Sequence, residues 1–398
     1  MLIKNEEYKI NRNTAKVTEF DKIYCQIIKE IIDKGELCEN RTGIDTLSIP
    51  NISFSIDIKK QFPILETKKI FTKNTLSELL WIYQAQSNDV RWLHERNNHV
   101  WDEWMIDSDG IFRTYEPIGN SDPDREVKVI DLDGNIILGQ KAKSKIEGKT
   151  IKSAKFYGLE YAYTIGTCYG GQLDITKEFD ENVLGKLKYN PTDRRKVVNL
   201  LQSQYMKTAV LPTCVWSSTY KVYRNELFLD VSVRSNDMPL GNPFNITQYA
   251  ILQFLVAKVS KLDVGRLDWH ISDCHIYVNQ LEMMKVQLER YNTLLKWERF
   301  INENDDEKIE YVYNDLLRQK EIVDTKSKIE YYTNPYKAIK EETDMNVEAL
   351  ELLLTRSNPI LEIADKDSFY DFDNSEYNKD IKILNYKSMK ALKIPIAQ

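Results

Sequence analysis

The chain has 398 residues, 42% of them hydrophobic and 29% charged, which is ordinary for a soluble globular protein and ample for a sizeable core. A net charge of −6 excludes a broad basic face that would coat nucleic acid, so no nucleic-acid partner is expected. The five cysteines form no CxxC pair and combine with the four histidines in no zinc pattern, so no metal site is expected. The N-terminal MLIKNEEYKINRN lacks the apolar core of a signal peptide. No apolar run approaches membrane-spanning length. With scattered cysteines, this predicts a reduced, cytoplasmic setting.

Along the chain, residues 19–35 place Phe20, Ile23, Ile27, Ile28, Ile31 and Ile32 at helical intervals, with Gly35 as a stop. The alternating SIPNISFSIDI reads as a strand. Residues 72–86 read as an apolar helix with Asn74 or Thr75 as N-cap. After WDEW at 101–104 the composition shifts. Residues 106–165 are rich in Asp, Gly, Lys and β-formers and read as an inserted hairpin turning at Asp133-Gly134. A second core stretch, about 170–290, holds the strand-like NELFLDVSVRS and the apolar helix ITQYAILQFLVAKVSKL. Residues 291–350 are charged, Tyr-rich and helical in period, with a break from Asn302 to Lys308. Both inserts read as solvated elaboration on one scaffold spanning residues 1–398. The pattern as a whole is mixed α/β.

Chemistry-bearing residues cluster in the core stretches. Cys214, in AVLPTCVWSS, is by base rate a small buried hydrophobe. A thiolate nucleophile would need cations and polar donors nearby. Arg194-Arg195 and Arg234-Ser235 lie about twenty residues to either side of it. They are either solvated turns or, with Arg41, a clamp of bidentate phosphate donors. In SDCHIYVNQ, alternation puts His275 and Tyr277 on one strand face. They are a satisfied core pair or two donors to a sugar hydroxyl. In PLGNPFNITQYA, Gly241 and Pro243 set a turn and Asn245 opens a helix. Asn245 is an N-cap, or an amide that reads a pyrimidine edge. Glu78 is the odd carboxylate in the apolar SELLW. At a solvent edge it would be ordinary; buried, it would titrate high and serve as acid or base.

The ordered motifs RTG, ELLW, WDEW, DRR, LPxC, RSxD, LGxPFN and DxHIYVN resemble the thymidylate synthases and their hydroxymethylase relatives over residues 18–105, 165–290 and 352–398. The resemblance implies an α/β (α+β) fold with a bent mixed β-sheet flanked by helices, the sheet lying at the interface of an obligate homodimer. It implies Cys214 as the nucleophile on C6 of dUMP and 5,10-methylenetetrahydrofolate as co-substrate, with no metal. Arg41, Arg234 and Ser235 match phosphate ligands, and Arg194 and Arg195 match a pair reaching across from the second subunit. His275 and Tyr277 match ligands of the deoxyribose 3′-hydroxyl. Glu78 matches the carboxylate that organises proton transfers, and Tyr169 a tyrosine near the C5 proton. Asn245 matches the base-reading asparagine and implies uracil, since cytosine-specific relatives carry aspartate there. Trp101, Trp104 and Asp237 match positions lining the folate site, with Gly241, Asn242 and Gln398 beside them.

Several positions depart from the family pattern: Thr213 and Val215 flank the nucleophile, Ser272 stands for a glycine, and Pro239, Asn242 and the terminal Gln398 stand for an aromatic and two apolar residues. They cluster on the folate side. A site that admits water would yield a hydroxymethyl product, whereas a closed one allows reduction to methyl. Polar Asn242 and Gln398, with the large inserts, favour 5-hydroxymethyl-dUMP as the product, as in phage DNA modification. Thymidylate synthesis is the alternative, and a non-catalytic binding relative is a remote third.

Overall fold

The computed structural model describes residues 10–328, 336–376 and 379–396. Helix α1 (Glu19–Lys34) is capped by Thr18, whose hydroxyl accepts from the Asp21 N–H. Of its spaced apolar residues Phe20, Ile27, Ile28 and Ile31 are buried and Ile23 and Ile32 half-buried, and Gly35 ends it as expected. Strands β1 (Glu36–Cys38) and β2 (Thr46–Ile56) follow, then α2 (Thr72–Tyr83) and the single turn α3 (Arg91–His94). Neither Asn74 nor Thr75 caps α2. The helix starts at Thr72 after Phe71, and both residues already donate their backbone N–H to the Phe71 carbonyl. The Thr75 hydroxyl also donates to that carbonyl, and no side chain caps the helix start.

The first insert is larger than a hairpin. Strands β3 (Ile111–Pro117), β4 (Glu126–Ile130), β5 (Ile136–Lys141) and β6 (Lys149–Phe156) form a four-stranded sheet in the order β3-β6-β4-β5. The β4–β5 pair is the expected hairpin, with Gly134 at φ 90° in its turn. The sheet buries a small cluster of its own that includes Ile111, Val127, Val129 and Ile151.

Then come the short helices α4 (Gly170–Thr176) and α5 (Lys186–Tyr189), strands β7 (Val197–Asn199), β8 (Val215–Tyr223) and β9 (Glu226–Asp237), helix α6 (Gly241–Val259) and strand β10 (Asp263–Tyr277). The main sheet has the order β1-β2-β10-β9-β8-β7. β9 and β10 are parallel neighbours joined by α6, and the other pairings are antiparallel. Alternation sorts β9 strictly: Leu227, Leu229, Val231 and Val233 are buried, while Phe228, Asp230, Ser232 and Arg234 are half-buried. The buried face packs on α1 and α6. The opposite face carries polar pairs such as Ser55–Asp268 and Ser53–His270.

Three long helices follow: α7 (Leu281–Glu303), α8 (Asp306–Lys328) and α9 (Tyr336–Thr355), with the expected break falling at Asn304 and Asp305. They are not merely solvated. Leu294, Trp297, Ile301, Ile309, Tyr313 and Leu353 close a second hydrophobic cluster with Ile10, Val17 and Met389 from the two ends of the chain. Strands β11 (Ile360–Ile363) and β12 (Ile381–Leu384) pair antiparallel near the end. Arg356, just after α9, is fixed to the main body by a buried pair with Glu66, Nε lying 2.9 and 2.7 Å from the two carboxylate oxygens. No described helix is long and apolar enough to cross a membrane.

Candidate active site

Four strands deliver their ends to one edge of the main sheet. Because β9 and β10 are parallel, Ser235 lies opposite Asp273 and Asp237 opposite His275. β8 runs antiparallel to β9, which brings its start, and Cys214 just before it, to the same edge. β2 runs antiparallel to β10 with Thr46 opposite Tyr277, so the loop holding Arg41 arrives there too. The carboxyl ends of parallel strands beside their crossover are the usual ligand edge of an α/β sheet.

AVLPT is loop, and Cys214 directly precedes β8. Among the five free thiols, Cys25, Cys168 and Cys274 are buried, and their thiols are pushed up by burial. Cys38 is exposed. Cys214 is half-buried; burial pushes its thiol up, while Arg234 and Arg41 pull it down toward the thiolate. Its backbone N–H donates to the Tyr169 hydroxyl at 3.3 Å. Its carbonyl accepts from the Arg234 N–H at 2.8 Å. The Arg234 guanidinium holds the same loop, donating to the Pro212 and Thr213 carbonyls at 2.9 and 3.3 Å. Tyr169 has φ 45°, a conformation that costs a non-glycine residue about 1–3 kcal/mol, and it carries its hydroxyl to the nucleophile.

On the neighbouring strand the Ser235 hydroxyl donates to Asp273 at 2.7 Å, and His275 Nδ1 lies 3.2 Å from the same carboxylate oxygen. The His275 and Tyr277 rings meet edge to face at 5.2 Å. Hydrogen bonding from His275 holds the Asp273 carboxyl below the usual range. Asp237 accepts from the Leu240 N–H at 3.0 Å and from Gln280 at 3.3 Å, and burial pushes its pKa up. Gln280 also donates to the Pro395 carbonyl at 3.0 Å, which ties the C-terminal segment to this edge. Gln398 lies outside the described residues.

Glu78, the carboxylate that the sequence left open, is half-buried. Trp101 Nε1 donates to one oxygen at 2.7 Å and Gln248 Nε2 to the other at 2.6 Å. Burial raises its pKa against these two bonds. Trp101 touches Trp104 and Tyr169 with ring centroids 5.5 and 5.4 Å apart, so the aromatic wall runs from the acid to the nucleophile.

Asn245 is not an N-cap. α6 begins at Gly241, with Pro243 in its first turn, where no N–H is required, and Asn245 lies inside the helix. Its Oδ1 accepts from Asn236 Nδ2 at 3.3 Å. Asn242 does not line the site either: it is fully buried and donates to Asn236 Oδ1 at 2.7 Å. The expectation that it contacts folate and admits water is corrected by that burial.

Arg194 and Arg195 do not join this group within one chain. Arg195 is exposed and forked onto Asp193, and Arg194 is exposed with no ion pair among the described residues. Residues that sequence reasoning missed are Gln248, Gln280, Asn236, Lys68 and Lys196. Lys68 is buried, donates to the Pro239 carbonyl beside Asp237, and is lowered to about 8 by that burial. Its signal was a basic pair between apolar runs. Among the described residues, His94, His99 and Asp102 form the one cluster of metal-ligand type, their ligand atoms lying within 4.8 Å of one another. Asp102 accepts from both imidazoles, at 2.6 and 2.9 Å, which pins the turn between Trp101 and Trp104.

A cysteine between arginines, opposed by a carboxylate and beside an amide that are both half-buried, defines a nucleophilic transferase site. Residues 22–324 match the thymidylate synthase family profile. The chain is 31% identical to the thymidylate synthase of Bacillus phage phi3T, covering 69% of this chain and 85% of that protein. It is 33% identical to the thymidylate synthase of Clostridium beijerinckii, covering 69% and 83%. The structure resembles the thermostable thymidylate synthase A from Bacillus subtilis with a TM-score of 0.59 and 27% identity, covering 96% of this chain and all of that one. The chain therefore belongs to the thymidylate synthase family, a family of one-carbon transferases.

Proposed function

We propose that the protein converts dUMP and 5,10-methylenetetrahydrofolate to thymidylate and dihydrofolate, with Cys214 as nucleophile. The observation that carries this reading is the single edge on which Cys214, Arg234, Ser235, His275 and Tyr277 meet, with Glu78 and Asn245 beside them. The Cys214 thiolate adds to C6 of the uracil, moving electron density through C5 onto O4. C5 attacks the methylene carbon of the folate, and the C5 proton leaves to a base. Tetrahydrofolate departs, leaving an exocyclic methylene; hydride from it reduces that methylene to methyl, and the thiolate leaves C6. The bare reaction needs a cationic grip for the phosphate, here Arg41 and Arg234 with Ser235, and groups to hold protons at the base, here Glu78 and Tyr169. Trp101, Trp104 and Asp237 offer an aromatic wall and a carboxylate for the folate. His275 and Tyr277 are placed to receive the sugar.

Methyl is favoured over hydroxymethyl because Asn242, one of the two polar residues that pointed to water, is enclosed in the core. Relatives covering two thirds of the chain, a phage protein among them, are thymidylate synthases. A homodimer is part of this reading. One face of the main sheet is covered by α1 and α6 while the other carries polar, half-exposed side chains, and the free Arg194 fits a phosphate in a partner's site. The test is release of tritium from C5 of labelled dUMP in the presence of the folate. Cys214→Ser should lower it by at least about a thousandfold, as loss of a nucleophile does. Undiminished release would remove Cys214 from the mechanism.

A further inference from the structure

Three asparagine amides run in line from the core to the base position. Asn242, fully buried, donates Nδ2 to Asn236 Oδ1 at 2.7 Å. Asn236, also buried, donates Nδ2 to Asn245 Oδ1 at 3.3 Å. The Asn242 Oδ1 has no partner among the described residues. Asn245 is half-buried, and its Nδ2 donates to no described residue, so that donor is available to a ligand.

We infer that this line is a polarity relay that fixes which edge of Asn245 a pyrimidine meets, making Asn236 and Asn242 positioning residues for uracil over cytosine. The inference rests on the proposed dUMP reaction and deepens it. The line has two settings, related by turning all three amides over. In the observed one, the closed end leaves one carbonyl oxygen unpartnered. In the other, Asn242 would accept and bury an NH2 with both hydrogens unmet. Buried orphan N–H groups are rarer than under-satisfied carbonyls, so the closed end selects the first setting. Asn236 Oδ1 is then occupied by a donor, its own NH2 must point to Asn245 Oδ1, and Asn245 presents its NH2 outward. Uracil offers a carbonyl at C4 and an N–H at N3, which suit that NH2 and the second lone pair of Oδ1. Cytosine offers an amino group at C4 and a bare N3, so donor would face donor. Turning Asn245 alone to suit cytosine would set its NH2 against that of Asn236.

The test is Asn236→Asp. A carboxylate can only accept; Asn242 still donates to one oxygen, and Asn245 turns its NH2 to the other, showing Oδ1 to the base. The ratio of kcat/KM for dUMP over dCMP, from C5 tritium release, should fall at least tenfold while the melting profile stays cooperative. Asn242→Leu, which removes the group that sets the polarity, should lower the ratio severalfold and decides the matter if the aspartate variant does not fold. An unchanged ratio in a folded variant overturns the relay. Equilibrium dialysis with dUMP and dCMP gives the corresponding ratio of binding constants without turnover, and the relay predicts a fall in that ratio too. A wild-type protein inactive on both nucleotides would therefore sink the proposed reaction, while the binding ratio still decides the relay.

Discussion

At Glu78 two donors and a desolvated pocket act in opposite directions on one carboxyl group. Burial favours the neutral acid; the indole of Trp101 and the amide of Gln248 favour the anion. Removing either donor takes away support for the anion, so the pKa rises further. In Trp101→Phe or Gln248→Met the limb of the kcat/KM profile that reports Glu78 should move to higher pH by roughly one unit, since a hydrogen bond to a charged group contributes about 1.5–3 kcal/mol. This holds whether the ionised or the neutral form is the active one, and a limb that stays in place would mean that Glu78 does not govern it. From sequence, Glu78 was visible as a lone acid in an apolar helix. Gln248 was not, because a glutamine in an apolar helix carries no sign of its partner until α2 and α6 are packed.

The loop before β7 shows how one element can present a charge it does not itself stabilise. Lys196 is buried at the start of the segment, with its ammonium donating to the Pro191 and Asp193 carbonyls. Burial lowers its pKa. The two carbonyls lie just before Arg194 and Arg195 and Lys196 just after them, so its ammonium closes the turn that carries the pair. Lys196→Met should loosen it and raise KM for dUMP about tenfold, equivalent to about 1.4 kcal/mol of binding, with kcat within a few-fold of wild type. Steady-state kinetics separate the two, and an unchanged KM would detach this loop from the nucleotide. Periodicity located α1, β2, β9 and the breaks around α7 and α8 because each buries one regular face. Its range for α2 starts at Thr72 as observed, but it put a cap inside that helix and opened α6 late, at Asn245 rather than Gly241; no side chain caps either end. The four-stranded insert was seen only as its central hairpin, since the register that brings β3 and β6 together is a long-range choice.

At the scale of the whole molecule, the segment leaving the helical insert meets the catalytic body at the buried Arg356–Glu66 ion pair. Arg356→Met would leave Glu66 enclosed without its partner, and a broken buried pair costs about 3–5 kcal/mol. Chemical denaturation should show a loss of that size, whereas a loss below about 1 kcal/mol would be expected only of an exposed pair. Assembly gives a second whole-molecule expectation. Mixing equal amounts of a Cys214→Ser protein and an Arg194→Ala/Arg195→Ala protein, each inactive, should restore about a quarter of wild-type activity. Half of randomly reformed symmetric dimers are mixed, with one intact site each. No restoration would place the arginine pair outside the partner's site. Motif order in the sequence made the family and most of the edge residues legible. What it could not supply was enclosure: Asn242 read as a polar wall of the folate site, and only the fold shows its amide turned inward to Asn236.

The central claim is the product. Purified protein incubated with dUMP and 5,10-methylenetetrahydrofolate, with the nucleotide identified by mass spectrometry and dihydrofolate followed by absorbance, tests it most directly. Thymidylate and dihydrofolate are expected in equal amounts. Hydroxymethyl-dUMP with tetrahydrofolate and no dihydrofolate would contradict it, and would mean that water reaches the exocyclic methylene by a route other than Asn242.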